Sequence, residues 1–147
     1  MKIILLALIF ICWPQPAMAE SPLYVEEIII ALCNEHRLER GLPPLEINWE
    51  AARVARYKTE DMMAYGYFGH DSPVYGSFFD MLKNFHIPYC SAGENIAAGF
   101  PTPEAVVEAW MATPNHRQNI LNRKLTQAGV GYSTDGKNHY WALILIG

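Results

Sequence analysis

Two histidines and two glutamates lie in segments of the sequence that are poorly suited to forming a hydrophobic core. His70 lies in Gly-His-Asp-Ser-Pro, Glu94 in Ala-Gly-Glu-Asn-Ile-Ala, Glu108 shortly before a tryptophan, and His116 in Pro-Asn-His-Arg. Two neutral imidazoles suit Zn²⁺, and two carboxylates would offset the charge of the cation. The same four side chains could instead act as general acid and base without a metal. The sequence has no His-x-x-x-His and no Cys-x-x-Cys spacing. Spacing alone therefore leaves open an ordinary alternative, loop histidines bonded to carbonyl groups and glutamates in solvent.

The elements that position these residues are predicted from the spacing of apolar side chains. Apolar residues recur at helical spacing in five segments bounded by proline, asparagine or glycine. These segments are 22–41, 49–65, 76–85, 102–112 and 114–122. The segments 67–73 and 91–97, which carry His70 and Glu94, contain glycine and serine and offer little for a regular core-facing pattern. We therefore expect both to be loops.

The C-terminal part of the sequence predicts strands. Apolar residues crowd 128–133 and 139–146 on either side of Asp135-Gly136, a pair of residues typical of a tight hairpin. Helices therefore come first in the sequence and strands last. This order predicts a helix-rich α+β domain whose helices pack on a small antiparallel sheet.

The composition excludes two broad classes of protein. Of the 147 residues, 51% are apolar and 18% are charged, and 11 Lys and Arg against 15 Asp and Glu give a formal net charge of −4. Intrinsically disordered chains have low hydrophobicity and high net charge. Nucleic-acid binders that act through bulk charge carry basic patches. The sequence is instead typical of one compact, mildly acidic domain, and no nucleic-acid partner is expected.

The first 19 residues are predicted to be a secretory signal peptide. Lys2 is followed by an unbroken apolar run over 3–13 and then by Ala17-Met18-Ala19, an A-x-A cleavage signal. The run is too short to span a bilayer, and the alternative is an uncleaved N-terminal anchor. No second run of membrane length follows. We expect a single domain over 20–147 without a transmembrane segment, secreted or associated with the cell envelope.

This export changes how the cysteines are interpreted. Cys12 lies in the predicted signal peptide, which leaves Cys33 and Cys90 as an even pair. Oxidising compartments permit disulfides, and this favours a bridge between the two. The alternative is two free thiols, because Cys33 lies on the apolar stripe of the first predicted helix.

Longer segments around the four residues carry a resemblance to a known family. In chain order they are Asn34-Glu35-His36-Arg37, Gly41-Leu42-Pro43-Pro44-Leu45, Phe68-Gly69-His70-Asp71-Ser72-Pro73, Ala92-Gly93-Glu94-Asn95-Ile96-Ala97, Val106-Val107-Glu108-Ala109-Trp110-Met111, Pro114-Asn115-His116-Arg117-Gln118-Asn119-Ile120-Leu121, Gly129-Val130-Gly131-Tyr132 and Tyr140-Trp141. In these segments the sequence resembles the CAP superfamily (cysteine-rich secretory or SCP, antigen-five and pathogenesis-related-one proteins), and within it the bacterial YkwD-type branch. They occur in the order of that family and cover nearly all of 20–147.

The resemblance implies a three-layer α-β-α sandwich with a central cleft. By resemblance, His70 and His116 bind a divalent cation, usually Zn²⁺, and Glu94 and Glu108 orient water or neighbouring groups. Two protein ligands leave coordination positions open, so such a site would be labile. The sequence departs from the family at Asn115, where a glycine commonly precedes the second histidine.

Three functions remain open at this point. The resemblance favours an extracellular binding module for a lipid, glycan or protein partner, with a divalent metal in its cleft. The second is a metal-assisted hydrolase of peptides or envelope polymers, in which Glu94 or Glu108 would be the catalytic general base. The third is a structural envelope protein in which the four residues only support the cleft. The sequence lacks the third protein ligand that is common in zinc hydrolases, which favours the first function.

Overall fold

The computed structural model describes residues 22–147, and the predicted signal peptide lies outside them. In this part of the chain five helices and four strands follow one another. They are α1 (Pro22–Leu38), β1 (Glu46–Ile47), α2 (Trp49–Tyr65), α3 (Phe78–Asn84), β2 (Ala92–Ala98), α4 (Pro103–Ala112), α5 (Pro114–Ile120), β3 (Gln127–Thr134) and β4 (His139–Ile146).

The four strands form one sheet in the order β1-β3-β4-β2. As predicted, β3 and β4 form an antiparallel hairpin, and Thr134 pairs with His139 at its turn. β2 lies antiparallel on the other side of β4. The expectation of an antiparallel sheet is wrong at β1, whose two residues pair parallel to the start of β3. A long stretch of chain separates β1 from β3, so no tight hairpin forces them to be antiparallel.

β4 is buried on both faces and forms the centre of the molecule. Alternate side chains of a strand point to opposite faces of the sheet. Trp141 and Leu143 pack into an apolar cluster with α1 and α4. Ala142 and Ile144 pack into a second cluster with α2 and α3. Helices on both faces of one sheet make three layers, which confirms the predicted α-β-α sandwich.

Capping residues place the helix ends close to the predicted positions. The Asn48 side chain accepts a hydrogen bond from the N–H of Ala51 (2.8 Å) at the start of α2. Gly66 ends that helix in the left-handed conformation, with φ at 64°. α1 is shorter than predicted, because the chain turns after Leu38. None of the helices in the described range is long and apolar enough to cross a membrane.

The segment around Glu94 was expected to be a loop, and this expectation is wrong. β2 pairs along its whole length with β4, and Glu94 lies opposite Ile144. All residues of β2 except the two at its ends are buried. Pairing and burial, rather than local sequence, determine this strand, because strand preference depends strongly on context. The carboxylate of Glu94 is therefore carried by a sheet and not by a loop.

The prediction of a disulfide between Cys33 and Cys90 is also wrong, since both cysteines are free. Cys33 is fully buried in the apolar cluster between α1 and the sheet. Cys90 is exposed on the segment that precedes β2. A thiol inside the core and a thiol at the surface do not meet the close geometry that a disulfide needs. Burial raises the pKa of the Cys33 thiol to about 12, which makes it an inert core side chain.

Candidate functional site

His70 and Glu94 meet where the loop between α2 and α3 approaches the strand β2. His70 lies in this loop, residues 66–77, and Glu94 lies on β2. The Nδ1 atom of His70 is 2.6 Å from Oε1 of Glu94. Because a carboxylate only accepts hydrogen bonds, Nδ1 donates and carries a proton. The other ring nitrogen, Nε2, takes no part in this contact.

Glu94 is nearly inaccessible, whereas its partner is open to solvent. The Glu94 side chain is 2% exposed and the His70 side chain is 54% exposed. The second carboxylate oxygen of Glu94, Oε2, is buried and has no hydrogen-bond partner. A buried polar atom without a partner costs free energy. This oxygen is therefore an unused acceptor at the site.

The pKa values of the two histidines are shifted in opposite directions. The hydrogen bond to Glu94 raises the pKa of His70 above its ordinary value of 6.5, and burial only partly opposes this. Burial lowers the pKa of His116, and the charge of His70 lowers it further. The second effect requires that the two imidazoles lie within electrostatic reach of each other. At neutral pH, a neutral His116 therefore accompanies a His70 that is more readily protonated.

Two asparagines hold the helix that carries His116 against the strand that carries Glu94. Asn95 is fully buried, and its Nδ2 donates to the main-chain oxygen of His116 (3.0 Å). Asn119 on α5 donates to Oδ1 of Asn95 (2.9 Å) and to the main-chain oxygen of Glu94 (3.3 Å). These two asparagines were not predicted from the sequence. The available signal was their position inside the same two segments that carry the family resemblance around Glu94 and His116.

Glu108, the fourth predicted residue, makes no hydrogen bond or ion pair with the other three among the described residues. It is exposed on α4, and in the described part of the chain no hydrogen bond or ion pair joins its carboxylate to either imidazole. Among residues 22–147, no group of three or more His, Cys, Asp or Glu side chains is arranged to hold a metal ion. The site therefore offers two imidazoles, with Glu94 bonded to one of them, rather than a closed set of protein ligands.

A cleft of about 260 Å³ opens beside the pair of His70 and Glu94. Its lining combines polar and aromatic side chains, among them His70, Asp71, Ser77, Phe78, Phe79 and Glu94. The ring of Phe79 is strongly exposed. A larger cleft of about 670 Å³ lies around Cys90 and Gly147 and shares no lining residue with this one. Concave surfaces with a few converging polar groups are typical of ligand sites. The smaller cleft is the one lined by the hydrogen-bonded pair of His70 and Glu94.

These features define a class of protein. The class is an α-β-α sandwich in which an inter-helix loop and an edge strand bring a histidine and a buried glutamate to one cleft, with a second histidine on a short helix within electrostatic reach. The family model of the cysteine-rich secretory protein family, known as CAP, matches residues 30–145. The chain belongs to this family, which confirms the resemblance seen in the sequence.

Two known proteins are similar to the chain in sequence, and a third shares its fold. It is 48% identical over 122 residues to the uncharacterized protein YkwD of Bacillus subtilis, a match that covers 83% of this chain and 47% of that protein. An extracellular protein containing a SCP domain from Bacillus anthracis has a solved structure that matches with a TM-score of 0.76 at 32% identity, covering 86% of this chain and 43% of the other. An outer surface protein of Borrelia burgdorferi shares the fold, with a TM-score of 0.74 at 19% identity over 82% of this chain and 90% of that one. The chain thus spans about half the length of the two Bacillus relatives.

Proposed function

We propose that this chain is an extracellular binding module of the CAP family whose cleft binds one divalent cation, Zn²⁺ above all, through His70 and His116. The observation that carries the proposal is the 2.6 Å contact between Nδ1 of His70 and the buried carboxylate of Glu94. Histidines that bind metals usually donate their other ring N–H to a carboxylate or a carbonyl group. The contact keeps His70 in the tautomer whose Nε2 is free to bind a metal.

The residues present fit a weakly held cation. His116 is a neutral imidazole at neutral pH, because burial lowers its pKa. Glu94 supplies a negative charge, and its buried Oε2 still lacks a hydrogen-bond donor. Imidazole ligands suit Zn²⁺, and two of them leave coordination positions to water or to a ligand. A bound cation would supply positive charge that attracts oxygen atoms of a partner molecule.

The extracellular location and the kind of partner complete the proposal. The predicted signal peptide over 1–19 supports export. The similar protein from B. anthracis is described as extracellular, and the one from B. burgdorferi as an outer surface protein. The partner is a lipid, a glycan or a protein that presents a polar group to the cleft. The exposed ring of Phe79 beside His70 and Glu94 would pack against an apolar part of such a partner.

Two observations support a binding module over the metal-assisted hydrolase. A general base must lie within hydrogen-bond reach of the proton it removes, directly or through one water. One oxygen of Glu94 is bonded to His70, so its carboxylate is engaged in holding the ring. Glu108 is exposed on α4 and, within residues 22–147, has no hydrogen bond or ion pair with either imidazole. The carboxylate bonded to a histidine is thus buried, and the exposed one is bonded to neither ring, which favours a binding module.

Isothermal titration calorimetry with zinc tests the proposal. The wild-type protein is expected to bind about one equivalent, because one cation satisfies both imidazoles. The double variant His70→Ala/His116→Ala is expected to lose this binding. The variant His36→Ala removes a histidine that lies near Glu39 instead, and it is expected to bind as the wild type does.

Two results would count against the proposal. Wild-type protein that binds no zinc, or a folded double variant that binds it as well as the wild type, would contradict metal binding by this cleft. Chelator-sensitive hydrolysis of a peptide or glycan library, abolished by Glu94→Gln, would replace the binding module with the hydrolase.

A further inference from the structure

A lysine side chain is completely buried beneath the loop that carries His70. Lys58, on α2, has no exposed surface. Its Nζ donates to the main-chain oxygen of His70 (2.8 Å) and to the hydroxyl of Tyr67 (3.3 Å). The same Nζ lies 5.1 Å from the centre of the Tyr67 ring, within the range of a cation–π contact. Lys58 therefore holds the loop at the residue that contacts Glu94.

Asp61 holds the same loop a few residues further along α2. Its Oδ2 accepts hydrogen bonds from the hydroxyl of Tyr67 and from the hydroxyl of Ser72 (2.6 Å). The Ser72 oxygen in turn accepts from the main-chain N–H groups of Val74 and Tyr75 (3.0 and 2.9 Å). The side chains of Lys58, Asp61, Tyr67 and Ser72 thus form one connected cluster, here called the loop anchor, on both sides of His70 in the sequence.

Burying the ammonium group of Lys58 costs hydration free energy, so another interaction must offset this cost. An apolar side chain of similar size would fill the same space without loss of hydration. Burial lowers the pKa of Lys58, and the carboxylates of Glu94, Asp61 and Asp71 act in the opposite direction. Both hydrogen-bond acceptors of Lys58 belong to loop 66–77, not to its own helix. The charge is therefore used to fix this loop beside the carboxylate of Glu94.

We propose that Lys58 is a positioning residue of the cleft, whose ammonium group, together with the rest of the loop anchor, fixes the main chain of His70 and so the contact between Nδ1 and Glu94. The loop has no helix and only an isolated bridge between Ser72 and Gly76. Its placement on β2 therefore depends on side-chain anchors. This assignment goes beyond the proposed metal binding, because the contact with Glu94 exists in the protein without a metal.

Nitrogen-15 NMR of the histidine side chains in the metal-free protein tests the assignment. At a pH where the rings are neutral, His70 of the wild type is expected to carry its proton on Nδ1. We expect His86, which is exposed and has no side-chain hydrogen bond among the described residues, to carry its proton mainly on Nε2, as a free imidazole side chain does. The variant Lys58→Met keeps a long side chain without the ammonium group. Its His70 is expected to lose the Nδ1 preference and to approach the tautomer ratio of His86.

Zinc affinity provides a second readout. Lys58→Met is expected to bind zinc about tenfold more weakly, the size usual for the loss of a group that supports a ligand. Lys137→Met removes an exposed lysine between β3 and β4 and is the matched control, expected to leave both readouts unchanged. A folded Lys58→Met protein with the wild-type tautomer of His70 overturns the assignment, whatever its zinc affinity. Wild-type protein that binds no zinc contradicts the proposed function instead, and the tautomer still decides the role of Lys58.

A second variant decides the question where Lys58→Met does not fold. Tyr67→Phe removes one hydroxyl from the loop anchor and keeps the ring that faces the Lys58 ammonium group. Its circular dichroism is expected to match the wild type, with a His70 tautomer ratio between those of the wild type and His86. A Tyr67→Phe protein with the full wild-type ratio would show that the loop anchor does not position His70.

Discussion

At the scale of single residues, one hydrogen bond makes the pKa of His70 differ from that of His116. Burial lowers the pKa of both rings, but only His70 has a carboxylate as partner. The resulting shifts have opposite signs. The protonation of the cleft at neutral pH is therefore controlled by Glu94, a residue that solvent hardly reaches.

We predict that Glu94→Gln lowers the pKa of His70 towards its ordinary value or below it. The glutamine oxygen can still accept from Nδ1, but it carries no negative charge, while burial and Lys58 continue to lower this pKa. The pKa of His116 should stay below its ordinary value, because its main cause is burial. An NMR pH titration of the ring C–H protons measures both. A His70 that titrates as in the wild type would contradict the assigned cause.

The same pair makes stability depend on pH in a defined direction. Because folding raises the pKa of His70, its contribution to the free energy of unfolding is complete below the unfolded value, 6.5, and is lost as the pH rises through the folded value. Urea unfolding of wild type and Glu94→Gln should therefore give stabilities that converge as the pH rises through this range. Curves that diverge over the same range would mean that another group dominates.

In a sequence, residues that could do chemistry are easier to recognise from their type than residues that hold those residues in place. His70, Glu94 and His116 were predicted because histidine and glutamate in segments of little apolar character suggest a site. Lys58 was not predicted, since a lysine within a helical pattern usually lies in solvent. Only the structure shows that its position on α2 faces a loop that follows the helix in the sequence.

At the scale of elements, one buried arginine joins the end of α1 to the chain around the end of α5. Arg37 has no exposed surface, and its Nε donates to the main-chain oxygen of Pro43 (2.8 Å). Its two terminal nitrogens donate to the main-chain oxygens of Ile120 (2.8 Å), Asn122 (3.1 Å) and Leu125 (3.1 Å). A single guanidinium group thus donates to four main-chain carbonyl groups, one of which, that of Asn122, also accepts from the N–H of Leu125.

We predict that Arg37→Met lowers the free energy of unfolding by about 3 kcal/mol, because buried carbonyl groups lose their donors. Urea unfolding followed by circular dichroism measures the change. Arg40→Met is the control, since Arg40 is exposed and donates to one main-chain oxygen, that of His36. Equal losses in the two variants would show that the buried guanidinium group has no special role.

Two glycines of β3 allow α2 to lie directly on the sheet. A Cβ atom at Gly129 would lie 2.0 Å from the main-chain nitrogen of Ala52, and one at Gly131 would lie 2.2 Å from the carbonyl carbon of Ala55. No side chain fits between such closely packed backbones. This contact sets the position of α2, and with it that of Lys58.

We predict that Gly131→Ala destabilises the protein by about 3 kcal/mol or prevents folding, because the added methyl group meets main-chain atoms that cannot move aside. Thermal unfolding measures the effect. Gly69→Ala is the control, because the space around Gly69 is open and its φ is not positive. A Gly131→Ala protein as stable as this control would contradict the close packing of α2 on β3.

Elements with local end signals were predictable, and elements defined by distant partners were not. α2 was predicted over its full range because Asn48 and Gly66 mark its two ends. β2 was not predicted, because its composition is that of a loop and its pairing partner, β4, lies far away in the sequence. The preference for a disulfide failed for the same reason, since the separation of Cys33 and Cys90 depends on the packing of the whole chain.

At the scale of the whole molecule, the candidate site draws on three segments that are far apart in the sequence. The loop 66–77 brings His70, β2 brings Glu94, and α5 brings His116. Sheet pairing, the loop anchor and the contacts of Asn95 hold these segments together. The resemblance identified the four residues, and the structure adds that, in the part of the chain that it describes, Glu108 has no hydrogen bond or ion pair with His70 or Glu94.

Whether His70 and His116 bind one cation together can be measured directly. Zinc is added stepwise to protein with nitrogen-15 labelled histidines, and the signals of all 5 imidazoles are followed by NMR. We predict that the signals of His70 and His116 change together and saturate at about one equivalent of zinc, while those of His36, His86 and His139 stay in place. Signals of His70 and His116 that do not change, or that change at different zinc concentrations, would contradict a shared cation.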